Sequence, residues 1–282
     1  MKISTEIGSI ANKIGEEKAI EYVGKAGFDA FDYSMFNLKK HSVCIDGLTV
    51  SNTNELVEKA KVYKKIAIDN GIVCNQSHAP FPTWDNGIRS VLKLCIELTA
   101  IAGGEICVIH PCDYNCSQKN AEMFLELLPF AKSCGVKIAT ENMWSRDSSG
   151  NIIPAACSSP KNFLEHLNAV NDEYLVACLD IGHAEMGGLD TSAVEMIKSL
   201  NDKLLALHIH DNDKVGDLHL IPFTGDIDFI AVCKALKSIN YKGYLTLEAD
   251  RHFDKFTEHN AFEGVKELAG SAKRLVDIYN QL

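Results

Sequence analysis

The fifteen residues ALHIHDNDKVGDLHL, at positions 206–220, contain three histidines and three aspartates. Imidazole nitrogens and carboxylate oxygens are among the side-chain atoms that most often bind divalent metal ions in proteins. Two interpretations fit this density: a polar turn that is rich in histidine, or one wall of a metal site. The other ligand-type residues of the chain decide between them.

Ligand-type residues also end a series of apolar segments along the chain. Six successive segments reach such a residue at their ends: His78, His110, Glu141, Asp180, His208 and Glu248. Side chains alternate between the two faces of a strand. In LLALHIH, the aliphatic residues Leu205, Leu207 and Ile209 share one face, which must meet other apolar elements. His208 and His210 therefore share the opposite face.

The same alternation puts Glu141, Asp180 and Glu248 on the inner faces of their segments. Buried carboxylates that lie close together repel one another and lose hydration, which is costly unless a cation joins them. A set of two glutamates, one aspartate and one histidine suits Zn²⁺, Mn²⁺, Co²⁺ or Mg²⁺. The pattern therefore predicts a metal centre formed by Glu141, Asp180, His208 and Glu248.

Eight apolar segments alternate with eight amphipathic ones along the 282 residues. The predicted strands are MKISTEIG, AFDYSMF, IVCNQSHAPF, ICVIHP, VKIATENMW, LVACLDIGHA, LLALHIHDN and GYLTLEAD. This alternation and the chain length predict an α/β protein, a single (β/α)8 TIM barrel over residues 1–282. An open doubly wound sheet is the alternative, but no GxGxxG fingerprint follows the first strand. In such barrels the carboxyl ends of the strands form the active-site face, where the six ligand-type residues would meet.

The composition is that of a globular protein with a net charge of −10. Phosphate binding usually needs a basic face, so the charge disfavours a nucleic-acid partner. No apolar run reaches the roughly 18–20 residues that span a bilayer, and the first residues lack the apolar core of a signal peptide. We therefore expect no membrane association and a cytoplasmic protein. The ten cysteines are scattered without a CxxC pair, which is typical of buried thiols in a reducing compartment.

The segments SHAPF, VIHP, ATEN, LDIGHA, HIHDND and LEAD occur in strand order, and together they resemble the xylose isomerase-like (β/α)8 barrels. That superfamily includes sugar isomerases and epimerases, inosose dehydratases and the class II AP endonucleases (endonuclease IV). The resemblance covers nearly the whole chain and implies that Glu141, Asp180, His208 and Glu248 are the core metal ligands. It also implies that His183 contacts substrate, and that Glu141 and Glu248 move a proton beside a substrate carbonyl.

Two activities fit this resemblance. The one we favour is a metal-dependent isomerase or epimerase that acts on a small carbohydrate (a sugar, sugar phosphate or polyol) with one divalent ion, Zn, Mn or Co. The alternative is an AP endonuclease with up to three zinc ions, because five further residues match its ligand positions: His78, His110, His183, Asp217 and His219. The acidic balance and the segment FDYSMFNLKK, which is unlike the corresponding endonuclease loop, disfavour the nuclease. A non-catalytic sugar- or metal-binding barrel is a third hypothesis, disfavoured because both glutamates are present.

Smaller assignments stay open at the level of sequence. Trp144 and Phe81 follow strands five and three, and each is either an apolar wall for a sugar ring or a loop anchor. His210 either donates to a ligand carboxylate or is a packed lumen histidine. Asp211 and the adjacent Asn212 cap the following loop in the simplest interpretation. Residues 37–54 are either a lid or a surface loop, and a homo-oligomer is also open.

Overall fold

Eight parallel strands form the centre of the molecule in the computed structural model, which describes residues 1–36, 38 and 53–282. The barrel strands are β1 (Lys2–Glu6), β2 (Ala30–Ser34), β3 (Val73–His78), β4 (Ile106–Val108), β5 (Lys137–Glu141), β8 (Leu175–Asp180), β9 (Leu204–His208) and β10 (Tyr244–Leu247). Their order is β10-β1-β2-β3-β4-β5-β8-β9, and every adjacent pair is parallel. Two further strands, β6 (Trp144–Arg146) and β7 (Ile152–Pro154), form a separate antiparallel hairpin.

A short seam between β9 and β10 closes the ring. Ile209 N donates to Thr246 O at 2.9 Å, and Glu248 N donates to Ile209 O at 3.0 Å. These hydrogen bonds flank one parallel bridge between Ile209 and Leu247. The eight strands thus form a nearly closed barrel, and the predicted (β/α)8 TIM-barrel fold is confirmed. The extent of the domain, residues 1–282, stays a prediction.

Helices connect the strands around the outside of the barrel. They are α1 (Gly8–Ile14), α2 (Glu16–Ala26), α3 (Thr53–Asp69), α4 (Arg89–Ala102), α5 (Ser117–Cys134), α6 (Pro160–Val170), α7 (Ile181–Ala184), α8 (Ala193–Leu200), α9 (Phe229–Ser238) and α10 (Ala261–Gln281). All eight predicted amphipathic segments form helices. Gly27 and Gly135 end α2 and α5 in the left-handed conformation, with φ of 91° and 69°, as the KAGF and SCGV sequences predict.

Several short elements among the described residues were not predicted from the sequence, and three of them adjoin barrel strands. Within MKISTEIG, strand β1 ends at Glu6 and helix α1 begins at Gly8. LDIGHA contains the single-turn helix α7, which starts where Asp180 Oδ1 accepts a hydrogen bond from His183 N at 2.7 Å. The β6–β7 hairpin occupies the loop after β5. Each is too short to show a helical or strand periodicity of its own.

The lumen of the barrel has an apolar side and a polar side. Small apolar residues fill one side: Val108, Ala139, Val176, Cys178 and Ala206. Hydrogen-bonded polar side chains fill the other: Ser4, Asn75, Gln76 and Thr246. Large aliphatic and aromatic side chains such as Phe31, Ile96 and Leu207 pack between strands and helices. Below the carboxyl ends of the strands, the lumen is therefore polar on one side and apolar on the other.

One predicted orientation is wrong. The sequence placed Leu205 with the outward aliphatic residues of β9, but it packs against the apolar lumen residues, and Leu204 lies in the outer core instead. The reason is a register shift between β8 and β9, where Ala177 pairs with Leu204 and Cys178 pairs with Ala206. Leu205 is the extra residue of this bulge, which reverses the alternation at that point.

None of the helices in the described ranges has the length and apolarity that a bilayer crossing requires. The segment 37–54, which the sequence leaves open as a lid or a surface loop, falls almost entirely outside the described residues.

Candidate metal centre and active site

Four ligand-type side chains meet at the carboxyl ends of neighbouring strands. Glu141, Asp180 and His208 are the last residues of β5, β8 and β9, and Glu248 directly follows β10. One ligand atom from each lies within 4.8 Å of those of the other three. Parallel strands end at the same face of the barrel, which is why residues more than a hundred positions apart converge. The structure thus brings all four predicted core ligands together; we call them the core ligand set.

The core ligand set fits a divalent cation. His208 Nδ1 lies 3.1 Å from Glu141 Oε1 and 3.5 Å from Glu248 Oε2. All four side chains are buried, and within the described residues no lysine or arginine forms an ion pair with them. Asp180 Oδ2 is buried without a hydrogen-bond partner. A buried carboxylate oxygen in a set of three carboxylates and one imidazole needs a positive partner, and a metal ion would supply it.

The two glutamates have opposite electrostatic environments. Burial raises the pKa of Glu248 well above its usual value; His208 opposes this shift and the nearby charge of Glu141 adds to it. Burial would also raise the pKa of Glu141, but His208, His110 and His78 outweigh it and hold that pKa well below its usual value. The surroundings thus push the pKa values of the two carboxyl groups in opposite directions, a division typical of groups that accept and donate protons in one site.

A second group of ligand-type side chains adjoins the core ligand set: His183, His210, Asp217 and His219. Asp217 is its centre, with Oδ2 at 3.2 Å from His183 Nε2 and Oδ1 at 3.4 Å from His219 Nε2. Burial would lower the pKa of His219, but Asp217 and Glu248 raise it to about 10. We call these four residues the Asp217 group.

His210 links the Asp217 group to the core ligand set. Its Nε2 lies 3.1 Å from Asp180 Oδ1 and 3.5 Å from Asp217 Oδ1. Neither Nε2 of His210 nor Oδ1 of Asp217 has a hydrogen-bond partner, although both atoms are buried. The His210 ring stacks on that of His219, with centroids 4.0 Å apart. His210 Nε2 thus lies beside a ligand carboxylate without a hydrogen bond to it, and donation to that carboxylate stays a prediction.

His78 and His110 lie on the opposite side of Glu141. Their Nε2 atoms are 3.3 Å and 3.2 Å from Glu141 Oε2, and 3.1 Å from each other. Burial lowers the pKa of His78 to about 4, so its imidazole is neutral at physiological pH. All the additional ligand positions suggested by the resemblance to endonucleases are therefore close to the core ligand set.

The two predicted aromatic walls differ in their surroundings. Phe81 stacks on His110 with ring centroids 4.7 Å apart and is 49% exposed, so it borders the mouth. Trp144 begins β6, is partly buried, and has the Arg146 guanidinium 5.1 Å from its ring centroid. A role for either ring in substrate binding stays a prediction.

Asn142 positions part of the site, which the sequence reasoning did not predict. Its Nδ2 donates to Asp180 O at 2.9 Å, and its Oδ1 accepts from Asp180 N at 2.8 Å. Its backbone oxygen accepts a hydrogen bond from His183 Nδ1 at 2.9 Å, and His183 Nε2 lies 3.2 Å from Asp217 Oδ2. The only sequence signal is its position directly after Glu141 in ATEN. The sequence reasoning also missed Asp32, whose Oδ2 lies 3.3 Å from His208 Nε2.

Asp211 has the capping role that the simplest interpretation gave it. Its Oδ1 accepts from the backbone N–H groups of Asn212 and Ile227 at 2.9 Å and 3.2 Å. Its Oδ2 accepts from those of Thr224 and Gly225 at 3.0 Å and 2.9 Å. One buried carboxylate thus fixes the loop that returns Asp217 and His219 to the mouth.

A family model described as xylose isomerase-like TIM barrel matches residues 20–274. The chain belongs to this family. The xylose isomerase-like segment includes every residue of the core ligand set and the Asp217 group, so the resemblance stated from the motifs is confirmed.

Curated relatives share part of the xylose isomerase-like barrel. An uncharacterised protein of Methanocaldococcus jannaschii is 29% identical over 190 residues, which cover 61% of this chain and 62% of that protein. An inosose dehydratase of Clostridium perfringens is 32% identical over 106 residues, which cover 31% of this chain and 35% of the dehydratase. The chain thus spans less than two thirds of the length of these relatives.

Solved structures match the barrel over its full length. A D-tagatose 3-epimerase-like protein has a TM-score of 0.72 at 21% identity and covers 100% of this chain and 99% of its own. The IolI protein, whose crystal structure contains a zinc atom, has a TM-score of 0.70 at 20% identity, with 100% and 99% covered. At these identities the similarity establishes the fold.

Proposed function

We propose that the protein is a divalent-metal-dependent isomerase or epimerase acting on a small carbohydrate. The observation that carries the proposal is the pair Glu141 and Glu248, whose carboxylate oxygens lie 3.1 Å and 3.5 Å from His208 Nδ1 and whose surroundings shift their pKa values in opposite directions. Two carboxyl groups of this kind can remove a proton from one face of a carbon and deliver one to the other. The D-tagatose 3-epimerase-like and IolI structures and the partial match to inosose dehydratase support this class of chemistry.

In the proposed mechanism, Glu141 accepts the proton from the carbon beside the substrate carbonyl. Glu248 delivers a proton to the opposite face of that carbon, and exchange with solvent removes the proton from Glu141 and returns one to Glu248 before the next turnover; the reverse reaction exchanges the two roles. A divalent ion held by the core ligand set would act as Lewis acid, stabilising negative charge on the substrate oxygens. His183, held by Asn142 and Asp217, donates from Nε2 to orient a substrate hydroxyl. Phe81 bounds the mouth on the apolar side of the sugar.

The test combines turnover with solvent isotope exchange. Ketoses and inososes are incubated in D₂O with Mn²⁺, Co²⁺ or Zn²⁺, and NMR follows both product and deuterium incorporation. Glu141→Gln removes the proton acceptor, so we expect both readouts to fall by about 10²- to 10⁴-fold. Glu248→Gln removes the proton donor, so product formation is lost while exchange of the substrate proton by Glu141 persists. Glu126→Gln, at an exposed glutamate on α5, is the matched control. Full turnover by Glu248→Gln would refute the two-carboxylate mechanism.

A zinc-dependent AP endonuclease is a second candidate. The observation in its favour is that His78 and His110 lie 3.3 Å and 3.2 Å from Glu141 Oε2 on one side, and that the Asp217 group adjoins the core ligand set on the other. The net charge of −10 opposes it, because a DNA-tracking groove needs positive charge. Metal analysis separates the two candidates: about three zinc ions per chain and incision of abasic duplex DNA would favour the nuclease, and one exchangeable ion would favour the isomerase.

A further inference from the structure

Strand β2 places a carboxylate in the barrel lumen that the proposed chemistry does not use. Phe31 and Tyr33 pack outward, where Tyr33 meets Tyr63 of α3 edge to face. Asp32, between them, therefore faces the lumen and is fully buried at 0% exposure. Ionisable side chains are rarely buried to this degree without a partner of opposite charge.

The contacts of Asp32 all involve one oxygen. Oδ2 accepts a hydrogen bond from Gln76 Nε2 at 2.8 Å and lies 3.3 Å from His208 Nε2. Oδ1 has no hydrogen-bond partner. No lysine or arginine among the described residues forms an ion pair with Asp32; His208 alone does so. The position of this buried carboxylate is therefore defined by the imidazole of a core ligand.

The two nitrogens of His208 face opposite surroundings. Nδ1 points to the core ligand set, between Glu141 and Glu248, and Nε2 points down into the lumen at Asp32. A metal-binding nitrogen must offer its lone pair, so the proton of a neutral imidazole has to reside on the other nitrogen. Asp32, which only accepts when ionised, stabilises that arrangement: Nε2–H directed downward and Nδ1 free.

Gln76 connects the side chain of Asp32 to the backbone of β9. Its Nε2 also lies 3.4 Å from Leu207 O, the carbonyl directly before His208, and its Oε1 accepts from Thr246 Oγ1 at 3.4 Å. Asn75 Nδ2 donates to Thr246 Oγ1 at 3.1 Å on the same polar side of the lumen. The carboxylate and the histidine are thus tied to the same backbone, which limits their relative movement.

We propose that Asp32 is a positioning residue that fixes the tautomer and the ring orientation of His208 so that Nδ1 is presented to a metal ion. The assignment rests on metal binding at His208 within the proposed function and is independent of the reaction that follows. It predicts a carboxylate–histidine–metal series across the lumen, from β2 to β9.

Three variants separate the contributions of Asp32. Asp32→Ala removes acceptor and charge; Asp32→Asn keeps an acceptor oxygen toward Gln76 and His208 and places its amide at the unpartnered Oδ1 position. Ser4→Ala removes a hydrogen bond to Asn75 in the same polar layer without touching Gln76, Asp32 or His208, and is the matched control. Long-range ¹H–¹⁵N NMR at saturating Zn²⁺ reports which nitrogen of His208 keeps its proton and which binds the ion, calorimetry with Mn²⁺ or Zn²⁺ reports affinity, and thermal unfolding confirms that each variant is folded.

In the Zn²⁺-loaded proteins we expect His208 to keep its proton on Nε2 in the wild type, in Asp32→Asn and in Ser4→Ala, and to become a mixture of the two tautomers in Asp32→Ala. Metal affinity should fall about 10- to 100-fold in Asp32→Ala, less in Asp32→Asn, and remain unchanged in Ser4→Ala. A wild-type His208 that keeps its proton on Nδ1, or an Asp32→Ala protein that keeps the wild-type tautomer and affinity, overturns the assignment alone. A wild type that binds no metal refutes the proposed function and the assignment together.

Discussion

Gly182 in LDIGHA has no room for a side chain, which makes Gly182→Ala a sharp test of the packing around His210. A Cβ built at this position would overlap Cε1 and Nε2 of His210, well inside the 3.4 Å at which ordinary van der Waals contact begins. The ring has little freedom to retreat, because it is fully buried, stacks on His219 at 4.0 Å and lies 3.1 Å from Asp180. Overpacking of this kind costs about 1–3 kcal/mol.

That cost should be visible in thermal unfolding of the metal-free protein. About 2–4 °C of melting temperature is lost per kcal/mol in a domain of 150–250 residues, so we expect a decrease of roughly 2–12 °C. Gly270→Ala is the matched control, since Gly270 lies in α10 with nothing within 4 Å of its added Cβ. There the substitution should stabilise the protein by about 0.5–1 kcal/mol, because alanine is the better helix former.

A double-mutant cycle assigns the cost to His210. In the His210→Ala background the obstructing ring is gone, so Gly182→Ala should cost about 1–3 kcal/mol less than in the wild type. If Gly182→Ala melts like the wild type, or costs the same with and without the His210 ring, the steric reasoning is wrong.

Three further predictions concern charge and metal. Asp211→Ala leaves four backbone N–H groups without their acceptor and should lower the free energy of unfolding in urea by at least about 3 kcal/mol, more than Asp211→Asn. Burial raises the pKa of Glu6, so ionisation of this group destabilises the folded state once the pH exceeds the pKa of Glu6 in the unfolded chain. The stability of Glu6→Gln relative to wild type should therefore increase between pH 4.5 and 8. A difference in stability that does not change with pH would contradict this. Removing metal with EDTA should lower the melting temperature, and adding Mn²⁺ at 100 times its Kd should restore about 2.7 kcal/mol, whereas an unchanged melting curve would count against metal binding.

The barrel and the core ligand set could be predicted from the sequence because both depend on short-range periodicity. Alternation within β5, β9 and β10 puts Glu141, His208 and Glu248 on inner faces, and the alternation of strands with helices brings their ends to one face of the barrel. Leu205 was misassigned because a bulge interrupts the alternation, and bulges leave no clear mark on a single strand sequence.

The supporting residues could not be predicted in the same way. The contact of Asp32 with His208 crosses the lumen and depends on a register shift between β2 and β3 at Phe31/Asp32. The paired hydrogen bonds of Asn142 depend on β5 and β8 being neighbours, although two other strands lie between them in sequence. Such contacts follow from three-dimensional adjacency rather than from residue type and spacing.

The seam between β9 and β10 has a consequence for how the barrel opens and closes. Among the described residues, two backbone hydrogen bonds join the strands there, and three residues of the core ligand set lie on one side while Glu248 lies on the other. An ion held by all four binds only the closed seam, so its binding energy must oppose local separation of these strands. Amide hydrogen exchange at Ile209 and Glu248 should therefore slow on metal addition more than exchange elsewhere in the barrel. A bound ion would thus stabilise the pairing of β9 and β10 that closes the barrel, and without the ion these strands would separate more readily, at the active site.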